Sequence, residues 1–131
     1  MDLRKLFSGS EFPPETLRFD EPLAPHTSFK IGGRADLMIL PRTKEQLLDA
    51  FATLRENSIA CFIMGGGNNL LVSDAGYRGV VIKTENMTGL NVSEREIHIE
   101  AGVSLARVFA EAAGASLTGF EFASGIPGSF G

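Results

Sequence analysis

Three consecutive glycines followed by two asparagines, Gly65-Gly66-Gly67-Asn68-Asn69-Leu70-Leu71, stand directly after an apolar run. Glycines let a backbone turn sharply and approach a ligand closely. The successive N–H groups of such a turn can converge on one concavity, which favours an anion such as a phosphate. The two Asn side chains add neutral donors. The plain alternative is a tight strand connection with no ligand. Two better-known phosphate patterns fail here. G-x-G-x-x-G fails because position 70 is Leu and no helix pattern follows, and Walker A fails because no Gly-Lys-Ser/Thr follows. The loop is therefore expected to bind through its own amides, without a helix N-terminus.

Three further segments could serve the same chemistry. In His26-Thr27-Ser28-Phe29-Lys30-Ile31-Gly32-Gly33-Arg34, Lys30 and Arg34 could attract a pyrophosphate, or be solvated charges beside a turn. In Ala101-Gly102-Val103-Ser104-Leu105, Gly102 permits a close approach and the Ser104 region offers backbone donors, unless it is an ordinary strand-to-helix turn. In Gly125-Ile126-Pro127-Gly128-Ser129-Phe130-Gly131 a glycine recurs every third residue and Pro127 stiffens the centre, which suits a backbone wall against a flat ligand or a flexible end. No catalytic set stands out. His98 reads as an exposed structural histidine, His26 has no visible partner, and Cys61 reads as buried and inert. Glu85, Glu100, Glu111 and Glu121 show no acid–base spacing, and neither G-x-S-x-G nor H-E-x-x-H occurs.

The elements that must position these residues can be read from periodicity. Residues 1–25 carry four of the six prolines and read as a helical turn near Leu3–Phe7 followed by an extended arm. Residues 35–40 read as a buried strand ending at Pro41. Thr43 and Gln46 then match a capping box ahead of an amphipathic helix over residues 44–57, and residues 59–64 read as a second apolar strand. Strand, helix and strand imply a βαβ unit with a right-handed crossover. Beyond it come short strands over 80–83, 89–93 and 96–100, the last alternating as a half-exposed antiparallel strand does. Ser104 caps a helix over 105–113 that Gly114 ends, and the rest is loop-like. The fold class is α+β.

Composition narrows the function classes. The 131 residues suit one domain, and 44% apolar with 21% charged residues is globular. A net charge of −4 with a pI near 5.1 argues against a broad surface for nucleic acid or anionic membrane. A single cysteine excludes an intrachain disulfide and fits a reducing compartment, and two His with one Cys leave no zinc site, so no metal is expected. No apolar run approaches a membrane span and no signal peptide is visible, so a cytoplasmic location is expected and the sequons at Asn86 and Asn91 are chance matches. Glycine is the anomaly, with twelve of the 15 falling after residue 60.

Taken together and in order, His26–Asp36, Gly65–Leu71, Ala101–Ser104 and Gly119-Phe120-Glu121-Phe122-Ala123-Ser124-Gly125-Ile126-Pro127-Gly128 resemble the UDP-N-acetylenolpyruvoylglucosamine reductase (UDP-N-acetylmuramate dehydrogenase) family. The Gly loop alone indicates only the wider set of FAD domains typified by p-cresol methylhydroxylase and vanillyl-alcohol oxidase. The match covers roughly residues 23–131. Asn68 stands where relatives often have Ser, and Ser129-Phe130 replaces a frequent Thr-Val.

The resemblance implies a two-subdomain FAD-binding fold. After an N-terminal arm (1–25) come a βαβ-type first subdomain (26–78) and a mostly antiparallel α+β second subdomain (79–131), the latter incomplete. It implies that Gly65, Gly66, Gly67, Asn68, Asn69, Leu70 and Leu71 hold the FAD pyrophosphate. Ile31, Gly102, Ser104, Gly119, Gly125, Ile126, Pro127, Gly128 and Ser129 would line the rest of the cofactor. NADPH would reduce the flavin, which would pass hydride to a UDP-sugar enolpyruvyl ether in bacterial peptidoglycan synthesis. The family's serine proton donor and its Glu and Arg have no matching position here, and its substrate domain would lie downstream. The chain is thus expected to be an inactive N-terminal portion, ending inside the flavin region, whose exposed C-terminal edge promotes self-association. Two other readings stay open: another flavoprotein oxidase of the same fold, and a non-catalytic nucleotide- or phosphate-binding module.

Overall fold

A computed structural model describes residues 2–8 and 12–131. The helical turn of the first residues is α1, Leu3–Phe7, capped by the Asp2 carboxylate on the Arg4 N–H. From Leu17 the chain is extended as expected, between short turns at Pro14–Thr16 and Ala24–His26, but it is no free arm. Residues Leu17–Pro22 form β1 and pair antiparallel with β2, Arg34–Ile39. Phe7 and Phe12 are buried in the core. The aromatic residues drew this segment in, because a Phe left in water forfeits roughly 2 kcal/mol of burial.

Helix α2, Lys44–Glu56, starts as the sequence predicts, with Thr43 Oγ1 accepting from the Gln46 N–H at 3.2 Å. The Gln46 side chain accepts from Arg42 N at 2.8 Å, one residue earlier than in a standard capping box. Strand β3, Cys61–Met64, and β4, Tyr77–Lys83, complete a four-stranded sheet of order β1-β2-β4-β3. Strands β2 and β3 are each parallel to β4, which lies between them. The βαβ unit therefore spans one intervening strand. β4 itself runs past residue 78, so the first sheet continues beyond the boundary drawn there.

Both faces of the central strands are buried, which explains their unbroken apolar runs. Leu37, Ile39, Val80 and Ile82 pack with Ala50 and Leu54 of α2 on one face. Ala35, Met38, Val81 and Met64 pack with Leu23 and Leu40 on the other. The edge position of β3 overturns one expectation. Cys61 is exposed, as are Phe62 and Ile63, because β3 has a neighbour on one side only.

The remainder holds the antiparallel pair β5, Leu90–Ser93, and β6, Glu96–Ile99, followed by α3, Leu105–Gly114. Ser104 Oγ caps α3 by accepting from Arg107 N at 3.2 Å, and Val108 and Ala112 face inward. The architecture is α+β. No helix among the described residues is long and apolar enough to cross a membrane.

Candidate functional site

A cleft of about 280 Å³ opens where β3 ends. Phe62, Met64, the loop from Gly65 to Leu70, Pro127, Gly128, Ser129 and Gly131 all line it. Two segments some sixty residues apart thus meet at one surface. As expected, the loop does not begin a helix. Among the described residues, no backbone N–H from Gly65 to Leu71 donates to a protein acceptor, so these amides are unengaged within the chain.

The loop's shape is imposed from behind. Ser28 donates from its backbone to the Gly67 carbonyl at 3.0 Å and from its hydroxyl to the Asn68 carbonyl at 3.2 Å. Gly67 lies at φ +71°, and a Cβ on it would run into the His26 carbonyl oxygen. Only glycine meets both conditions. On the other side, Thr84 Oγ1 donates to the Met64 carbonyl at 3.4 Å.

The C-terminal wall is held by backbone pairing. Leu105 N donates to Gly128 O at 3.0 Å, Phe130 N to Val103 O at 2.8 Å, and Gly131 N to Ala101 O at 3.0 Å. Ser104 and Ser129 form an antiparallel bridge. Gly102 lets this turn press onto the end of β4, since a Cβ there would collide with the Thr84 and Glu85 carbonyls. The Asn68 amide nitrogen lies beside Gly128, so loop and wall approach each other there.

Not every residue singled out in the sequence reaches this cleft. Leu71 opens instead onto an adjoining apolar hollow with Leu23, Tyr77 and Val81. Gly125 and Ile126 lie along α3 beside Phe109, Gly119 has open space around it, and Ile31 is exposed on its own turn. Gly102 and Ser104 act through the segment they support. Arg34 is taken up by Asp20, at 3.2 Å from its carboxylate, and Lys30 Nζ by the Pro25 carbonyl at 3.3 Å, which favours the reading of both as charges beside a turn. His98 is exposed and pairs with Glu96 at 3.3 Å.

His26 was missed, and it has two partners. Its Nε2 is 2.8 Å from Glu21 Oε1 and its Nδ1 is 3.1 Å from Lys83 Nζ. Lys83 also ion-pairs with Glu85 at 2.6 Å while almost fully buried. Burial pushes the Glu21 carboxyl up, and hydrogen bonds from His26 and Arg18 outweigh it, so the group titrates below its ordinary value. No local spacing announces a pair separated by 57 residues.

Comparison with known proteins gives this geometry a family. The FAD binding domain model matches residues 35–131. UDP-N-acetylenolpyruvoylglucosamine reductase of Syntrophomonas wolfei is 47% identical over 120 residues, 91% of this chain and 40% of the relative. The enzyme of the same name from Caldanaerobacter subterraneus is 48% identical over 115 residues, 88% of this chain and 38% of the relative. The chain thus spans about two fifths of the length of these relatives. Among solved structures, the UDP-N-acetylenolpyruvylglucosamine reductase of Thermus caldophilus aligns with a TM-score of 0.64 at 28% identity, over 88% of this chain and 39% of that one. An alkyldihydroxyacetonephosphate synthase aligns with a TM-score of 0.65 at 21% identity, over 86% of this chain and 24% of that one, which shows a shared fold. With a glycine loop of unengaged amides and a backbone-built wall lining one cleft, and a family match over most of its length, this chain belongs to the FAD binding domain family.

Proposed function

We propose that this chain is the FAD-holding part of an NADPH-dependent reductase acting on UDP-N-acetylglucosamine enolpyruvate in peptidoglycan synthesis. The observation that carries the reading is the row of unengaged N–H groups in a loop, Gly65 to Leu70, that lines one cleft with Pro127, Gly128 and Ser129. The residues fit the cofactor: a backbone nest suits a pyrophosphate, and a wall of Gly and Pro admits a flat ring system. In this reading Gly65–Asn69 bind the phosphates, the Asn68 and Asn69 amides add donors, and Gly128 with Ser129 bounds the ring. Gly102 and Ser104 brace that wall. Bound FAD would supply hydride transfer between a reduced nicotinamide and the substrate double bond. The proton donor, the charge-stabilising residues and the UDP-sugar site are assigned to the remainder of the protein, so this chain alone is inactive.

Further parts of the reading follow from the reach of the first sheet, from the same relatives and from composition. The two subdomains divide near the end of β4, the protein is cytoplasmic, and its acidic balance gives nucleic acid no basic surface. Phe122 at 78% exposure, with Ile126 and Phe130, forms an apolar edge that favours self-association.

Titration of the chain with FAD tests the central point. A shifted, structured flavin absorption band and quenched emission are expected. Flavin spectra that stay those of free FAD at saturating protein would overturn it. In the whole protein, NADPH consumption that depends on the enolpyruvyl sugar is expected, and consumption driven equally by oxygen would favour an oxidase.

A further inference from the structure

The His26 network lies outside the cleft and has no role in the function proposed above. An ammonium group has no acceptor, so the 3.1 Å contact requires Nδ1 of His26 to accept from Lys83. Nε2 then carries the proton and donates to Glu21 at 2.8 Å. The partners thus select one neutral tautomer. The charged groups around the ring are Glu21 and Arg18 from β1, Lys83 from the end of β4, and Glu85 from the turn that follows. Among the described residues, the one partner of Nδ1 is a cation. Proton uptake there forces the Lys83 contact to break.

The two segments this contact joins are the two that shape the glycine loop. One is the turn Ala24–His26, whose last carbonyl lies against Gly67 and which leads into Ser28, the donor to Gly67 and Asn68. The other is Lys83-Thr84-Glu85, which reaches Met64 through the Thr84 hydroxyl and supports Gly102. The side-chain pair is a direct link between the loop's two supports.

We propose that His26 is a positioning residue for the glycine loop. Its neutral form, clamped between Glu21 and Lys83, keeps the loop amides in their anion-binding arrangement, and its protonation loosens them. The link to FAD rests on the function proposed above; the link between His26 and the loop belongs to the chain alone.

The experiment uses the full chain labelled with nitrogen-15 and free of FAD. Imidazole spectra report the tautomer, and backbone amide spectra are followed from about pH 8 to about pH 5. The neutral ring is expected to carry its proton on Nε2. The amides of Gly65–Asn69 should move with the same midpoint as the His26 ring. In His26→Gln the side-chain amide can both accept from Lys83 and donate to Glu21, so the loop amides should stay still over this range. FAD affinity should fall about tenfold across the range in the unaltered chain and change less than about twofold in His26→Gln. A proton on Nδ1 at pH 8, or loop amides that titrate alike in both proteins, would overturn the proposal. If His26→Gln does not fold, the tautomer and the shared midpoint in the unaltered chain decide. Coupled loop amides without FAD binding at any pH would uphold the positioning role and remove the FAD reading.

Discussion

Gly67 carries two demands at once, a left-handed backbone and a carbonyl oxygen where a side chain would begin. A non-glycine residue at such a φ costs about 1–2 kcal/mol before any collision. Gly67→Ala should therefore destabilise the chain by about 2–3 kcal/mol, read as a lower urea midpoint at unchanged slope, and should weaken FAD binding more than this loss of folded protein explains. Glu21 gives a second prediction. Its carboxyl titrates below its ordinary value of 4.5 when folded, so its contribution to stability is present above that value and is lost as pH falls through the lower folded one. Glu21→Gln should flatten this acid limb of a stability-against-pH curve. The glycine was legible in the sequence because its residue type announces a backbone need. The ionic contacts were not, because Lys83 reads as the end of an apolar strand and His26 as a turn residue until the fold joins them.

Periodicity served the elements well where one segment settles its own structure. Helix α2 with its Thr43 cap, α3 with its Ser104 cap and the β5–β6 pair all follow from local pattern. Thr43→Ala removes the acceptor for the Gln46 N–H and should cost about 1 kcal/mol by chemical denaturation, with little change in FAD affinity, since α2 packs on the sheet face formed by Leu37 and Ile82 and not at the cleft. Sheet order is a different matter. An apolar run signals a strand without naming its neighbours, so β1 looked like an arm and β3 like a buried strand. The exposure of Cys61 follows from that order and from nothing in its own surroundings in sequence.

At the scale of the whole molecule, the cleft depends on contacts between distant segments. The wall at Gly128–Gly131 is held on the turn at Ala101–Ser104, and that turn rests on Thr84 and Glu85. A cofactor that touches loop and wall together ties these parts to one another. FAD at a hundred times its dissociation constant should stabilise the chain by about 2.7 kcal/mol, visible as a raised melting temperature that climbs with ligand concentration. The order β1-β2-β4-β3 also has a consequence for synthesis. The ribosome releases β1 and β2 first, and these can pair at once. β3 follows with no partner of its own, because the strand it needs ends at Lys83. Until that residue leaves the exit tunnel, Phe62, Ile63 and the glycine loop are held by no sheet. The nascent chain thus passes through an interval in which its phosphate-binding loop exists only as sequence.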